Sequence, residues 1–113
     1  MDFKEQIKPF FWVDHEASAS VCLDVGSYKN EIFEARASEG FEGNGYDWGS
    51  LAAVFLKEKL SELEGVVGFD PEASMFCAYS GKREALTKFI LEFKAMCEDD
   101  DLIKDLFSHA ELD

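Results

Sequence analysis

The alternation of apolar and polar positions divides the chain into strand-like and helix-like runs. Residues 9–13, PFFWV, are dense in β-formers, with Pro9 marking the start of a strand or an exposed edge. After a polar stretch, Val21, Leu23 and Val25 alternate with Cys22 and Asp24, the pattern of a half-buried strand over residues 20–25 that Gly26 and Ser27 end. These two runs are expected to pair antiparallel. Residues 28–38 read two ways: Tyr28, Ile32, Phe33, Ala35 and Ala37 fit one or two amphipathic helical turns stopped by Gly40, and a short strand over 31–35 is the alternative. The helix is the preferred reading. Trp48, Ala52, Phe55, Leu56, Leu60 and Leu63 then hold helical spacing and predict a helix over 47–63.

Residues 65–69 and 74–79 read as two further strands, joined by Asp70-Pro71-Glu72, where proline presets φ for a turn. Leu86, Phe89, Ile90, Phe93 and Cys97 give the clearest helical period in the chain, over 82–97, with Ser80 placed to cap it. The acidic run Glu98, Asp99, Asp100 and Asp101 supplies a cap and dipole-compatible charge for a last short helix carrying Leu102, Ile103, Leu106 and Phe107. The prediction is a single α+β domain over residues 1–113: an antiparallel sheet of about four strands with helices packed on one face.

The joint before the first long helix carries Gly40, Gly43 and Gly45 among Phe41, Tyr46 and Trp48. Glycines so closely spaced suit a positive φ or a close backbone approach, which makes this a shaped loop. Asp47 is expected to be the helix N-cap.

Composition adds a charge constraint. Hydrophobic residues make up 47% and aromatics 14%, enough for one core, yet 24 acidic residues face 11 basic ones, a net charge of −13 spread along the whole chain. Such a surface repels nucleic acid and anionic membrane and speeds encounter with a basic partner; it also serves solubility alone. Cys22, Cys77 and Cys97 are an odd count without CxxC spacing, so buried free thiols in a reducing compartment are expected, with no disulfide and no zinc site. The N-terminal residues are charged and lack the apolar core of a secretory signal, and no apolar run approaches the ~18 residues of a membrane helix. The expectation is a cytoplasmic protein.

Candidate chemistry is sparse. The glycine loop lacks a preceding strand and a following Lys-Ser/Thr pair, and Glu42 and Asp47 stand where phosphate would bind. His15 and His109 are isolated, Cys77 lies in an apolar strand, and Asp70 and Glu72 flank a turn proline. The run Asp99–Asp101 lacks the alternating ligands of a calcium loop. No nucleophile, base and oxyanion site assemble, so no enzyme, metal or cofactor is expected. What remains is Phe41, Tyr46 and Trp48 beside Glu39, Glu42 and Asp47. Aromatics ringed by acids suit recognition of a basic protein, whereas Trp48 at a helix start also suits core packing.

The segments GFEGNGYDWGSLAAVFL (40–56) and FDPEASMFCAYS (69–80), in that order and followed by an acidic helix, resemble the immunity protein 51 family. The resemblance runs from about residue 9 to the C-terminus and leaves residues 1–8 as an extension. It implies an α+β bacterial cytoplasmic protein encoded beside a toxin of a polymorphic toxin system, whose role is to bind and neutralise that toxin. The family's characteristic Gly, Trp and Phe positions fall on Gly43, Gly45, Trp48, Phe69 and Phe76. Joined to the charge, it suggests a basic toxin domain bound through Glu39, Glu42 or Glu98, Asp99, Asp100 and Asp101, with Tyr46 as an aromatic anchor. The alternatives are an acidic adaptor or regulatory module without a toxin partner, and a small enzyme of unrecognised type.

Overall fold

In a computed structural model, which describes residues 3–111, four strands build the sheet: β1 (Phe11–Asp14), β2 (Ala19–Asp24), β3 (Gly68–Phe69) and β4 (Met75–Ser80). Their order is β1-β2-β4-β3, with every neighbouring pair antiparallel. The helices are α1 (Phe3–Gln6), α2 (Asn30–Glu34), α3 (Gly45–Lys59), α4 (Arg83–Cys97) and α5 (Asp100–Phe107), with 3-10 turns at Ala37–Glu39 and Ser61–Leu63. This is the predicted α+β domain. Of the expected N-terminal extension, residues 1 and 2 lie outside the described residues, as do 112 and 113 at the other end; Ile7, also within it, is completely buried in the core.

Side chains alternate across a strand, so the register sorts the sheet into two faces. Leu23 opposite Phe76 and Val21 opposite Ala78 lie on the helix side and are buried. α3 and α4 cover that side. α3 buries Trp48, Leu51, Ala52, Phe55 and Leu56; α4 buries Leu86, Phe89, Ile90, Phe93, Met96 and Cys97. Phe93 is the hub, its ring 5.0–6.3 Å from those of Phe89, Phe55, Phe10, Trp48 and Phe76. Trp48 is wholly enclosed, and its indole N–H has no hydrogen-bond acceptor among the described residues.

Within residues 28–38 the structure has the helix α2, Asn30–Glu34, and the start of the 3-10 turn Ala37–Glu39, and no strand. Ile32 and Phe33 are adjacent and both buried, as two neighbours on the inner side of a helical turn can be. The 3-10 turn after α2 stops at Gly40, with φ 105°, as expected of a left-handed C-terminal residue.

Three expectations fail. Ser80 does not cap α4: Lys82 is the N-cap, and Ser80 Oγ accepts the Lys82 N–H at 3.0 Å while donating to Val66 O. Asp47 is not the cap of α3: Asn44 is, its side-chain oxygen accepting the Asp47 N–H at 2.9 Å. The reason is that Asp47 turns backward, where its Oδ2 accepts the Glu42 and Gly43 amides at 2.7 and 2.8 Å. The cysteine expectation fails in part. Cys97 is a buried free thiol, but Cys22 and Cys77 form a disulfide. They are 55 residues apart in sequence, so spacing carries no trace of the pairing; the β2–β4 register sets them directly opposite each other, Cα to Cα 4.1 Å. The inference from free thiols to a reducing compartment therefore does not hold for that pair.

Candidate functional site

The two segments that carry the resemblance meet in space. The loop entering α3 lies on the β3–β4 turn: the Gly45 N–H donates to Ala73 O at 3.2 Å. A Cβ at Gly45 would collide with the carbonyl oxygens of Glu72 and Met75, so only glycine lets these backbones touch. Gly43 answers a second need, with φ +80° against the Phe33 side chain. Asp47, 3% exposed, ties the loop to the first turn of α3 through the two amides it accepts. Phe41 and Trp48 turn inward, Phe41 against Phe107 and Trp48 against Phe10, Phe33, Tyr28 and Phe93. The glycines, Asp47 and Trp48 thus build a joint. Of the aromatic cluster only Tyr46 stays outside, 43% exposed.

The joint leaves Glu42 and Tyr46 pointing to solvent at the start of α3. Glu39, a candidate partner contact in the sequence, has a role within the fold: it holds the Arg36 guanidinium by two bonds, at 2.8 and 3.0 Å. Arg36 in turn donates to Phe107 O and, at 2.9 Å, to Ala110 O, satisfying carbonyls at the C-terminal end of α5, and its guanidinium lies over the Phe41 and Phe107 rings. This bonding holds the Glu39 carboxyl below its ordinary value.

The second acidic cluster divides in the same way. Glu98 accepts from the Tyr28 hydroxyl, which lowers the carboxyl's pKa with help from Lys94 and Lys29. Burial first, and then Glu98, raise that of Tyr28. Asp99 caps α5, accepting the Leu102 N–H at 3.1 Å, and Asp100 pairs with Lys29 at 3.4 Å. Asp101 is exposed in the first turn of α5. The two clusters are not one site. They sit at opposite ends of α5, an eight-residue helix and so about 12 Å long, which packs beside α2 through Phe33 and Phe107. The exposed acids Glu31 and Glu34 on α2 and Asp105 on α5 lie on the same pair of helices. No local pattern signals this, because the link runs through Tyr28, Lys29 and Arg36, each about 70 residues from its partner.

Across residues 10–112 the chain matches the profile of immunity protein 51. It belongs to that family. No curated protein and no solved structure matches it. Membership implies an immunity protein, with a toxin as partner in general terms and a role other than catalysis. Among the described residues, this immunity protein has no group of His, Cys, Asp or Glu arranged to hold a metal ion and no helix long and apolar enough to cross a membrane. One cavity, of about 410 Å³ between α3 and the β3–β4 turn, is lined largely by Gly49, Ala53, Val54, Phe69 and Pro71, with His109 engaged by Glu58 at 3.0 Å.

Proposed function

We propose that this immunity protein acts in the bacterial cytoplasm, binding a basic toxin domain of a polymorphic toxin system through the acidic side of the molecule formed by the 40–46 loop, α2 and α5. It engages neither nucleic acid nor membrane, because a net charge of −13 repels both phosphate and anionic lipid. The observation that supports this reading most directly is the division of labour among the acids. Glu39, Asp47, Glu98, Asp99 and Asp100 each hold a partner within the fold, whereas Glu42 and Asp101 are exposed and make no ion pair or side-chain bond among the described residues, and Tyr46 is exposed in the same loop as Glu42. Glu42, Asp101 and Tyr46 are therefore the contacts to test first. An exposed tyrosine offers a large, stiff contact surface, and unpaired acids steer a basic partner into place.

The test is co-expression with the product of the adjacent toxin gene, scored for growth and co-purification, followed by binding kinetics at two salt concentrations. Glu42→Lys with Asp101→Lys should slow association and flatten its salt dependence, since screening acts over about 8–10 Å. Tyr46→Ala should speed dissociation. Glu39→Lys is a poor probe, because it also frees the Arg36 clamp on α5. Salt-insensitive association of the unaltered protein would sink the acidic-surface reading; no protection from the adjacent toxin would sink the immunity reading for this chain.

A further inference from the structure

The Cys22–Cys77 bridge sits in a chain proposed to act in the bacterial cytoplasm, where the disulfides that do form are mostly transient or redox-sensing. The sheet shows how this one can open and close. β2 and β4 are the two central strands and pair over six residues each, from Ala19 opposite Ser80 to Asp24 opposite Met75. Their register is set from the helix side. Val21 and Leu23 flank Cys22, Phe76 and Ala78 flank Cys77, and all four are buried in the core; a one-residue slip of either strand would turn its pair out to the other face. The core therefore holds the two cysteines opposite each other whether or not they are bonded.

Opening the bridge also leaves the ladder intact. Val25 donates to Ser74 O at 3.2 Å, and the alternation along the ladder from that bond makes Cys22 and Cys77 a non-hydrogen-bonded pair. Their Cα atoms are 4.1 Å apart, close to the ~4.5 Å of such pairs. The dithiol and disulfide forms thus share one backbone.

The pair is within reach of small molecules. α3 and α4 cover one face of the sheet. The cysteines lie on the other, Cys22 opposite Phe11 and Cys77 two residues along β4 from Tyr79, and Phe11 and Tyr79 are both exposed. Cys22 is buried and Cys77 half-buried, so Cys77 is the one an incoming thiol meets. Cys97 lies on the helix side in the core, where burial pushes its thiol pKa up, and it takes no part. No Lys or Arg holds a described strand position on the cysteines' face, so no cation there favours the thiolate. Exchange is slow for that reason, and the pair follows a lasting change in the surrounding thiols, over minutes to hours.

We propose that Cys22 and Cys77 are a reversible thiol–disulfide switch, which a low-molecular-weight thiol opens and the corresponding disulfide closes, and which sets the stability of the fold without changing its shape. An incoming thiolate attacks Cys77 Sγ; the S–S bond breaks, its electron pair passes to Cys22 Sγ, and that sulfur takes up a proton. A second thiolate attacks the incoming molecule's sulfur in the mixed disulfide, which frees Cys77 to take up a proton and leaves the two small thiols joined. The bridge is reduced by two electrons and the two small thiols are oxidised by two. The closed form ties together the ends of a segment that carries α2, the 40–46 loop, α3 and β3, so it restricts the unfolded chain and resists unfolding. The inference does not rest on the toxin reading and is tested without a toxin.

The purified full chain is equilibrated overnight with reduced and oxidised glutathione over a wide range of ratios, then quenched in acid, alkylated in denaturant and weighed as intact protein. One transition should appear, in which two thiols are lost together while Cys97 stays a thiol at every ratio. The two forms should give the same circular dichroism spectrum, and the closed form should melt roughly 10–15 °C higher. Cys22→Ser should abolish the transition and trap one glutathione on Cys77; Cys77→Ser, which leaves Cys22 buried, should trap much less. A bridge that stays closed, or two thiols that stay free, at every ratio would overturn the proposal. So would a reduced chain that loses its spectrum, or equal melting temperatures for the two forms.

Discussion

Removing the Asp47 carboxylate tests whether the glycine joint is held in the way its geometry indicates. Asp47→Ala takes away both bonds from Oδ2, to the Glu42 amide at 2.7 Å and the Gly43 amide at 2.8 Å. The Gly43 amide is buried and keeps no partner; the Glu42 amide is partly buried and regains some water. A hydrogen bond to a charged group contributes about 1.5–3 kcal/mol, and an orphaned buried donor costs about 1–3 kcal/mol. Weighting the Gly43 bond fully and the Glu42 bond by about half gives a loss of about 3 kcal/mol, or a fall in Tm of roughly 10–15 °C for a domain of this size. Asn44→Ala removes only the helix cap and should cost about 0.5–2 kcal/mol. Asp47→Asn keeps an acceptor and should fall between the two. The assay is urea unfolding of the three variants by circular dichroism and tryptophan fluorescence, the latter sensitive to Trp48 next in sequence. If Asp47→Ala cost no more than Asn44→Ala, the carboxylate would not be holding the loop and the reasoning would be refuted.

The other predictions concern the core, the backbone joint and acid stability. Phe93→Ala empties the centre of the ring cluster and should lose about 3–5 kcal/mol, read as a lower urea midpoint. Gly45→Ala meets the backbone oxygens of Glu72 and Met75, which cannot rotate away as a side chain can, and should destabilise more than Gly65→Ala, where φ is also positive but nothing is near. Comparison of their thermal midpoints decides it. The depressed pKa of Glu98, due first to the Tyr28 hydroxyl, contributes stability that is present above the ordinary glutamate value of 4.5 and lost as pH falls through the lower folded value. Tyr28→Phe should therefore narrow its stability deficit against the unaltered protein below about pH 4.5; a deficit that stays constant from pH 7 to pH 3 would exclude the linkage.

The sequence by itself determined the elements whose burial pattern repeats within one short window. Leu86, Phe89, Ile90 and Phe93 mark α4, and Val21 and Leu23 mark the inner side of β2, because a helix and a strand impose their own periods on which side chains reach the core. The capping role of Asp99 was legible for the same reason: its partner, Leu102, lies only three residues away. The tertiary structure alone decided everything that depends on which segments become neighbours. Asp47 and Asn44 both have the chemistry of a cap, and only the path of the loop gave that task to Asn44 and turned Asp47 back onto the Glu42 and Gly43 amides. Gly45 was legible as a glycine with a purpose, but the purpose lies in Glu72 and Met75 on the far side of a long helix. Cys22 and Cys77 became partners through strand register, and Glu39 acquired a structural role through an arginine that reaches across to α5. Local periodicity reports how a segment faces the core, whereas contacts between distant segments are fixed only once the whole chain has packed.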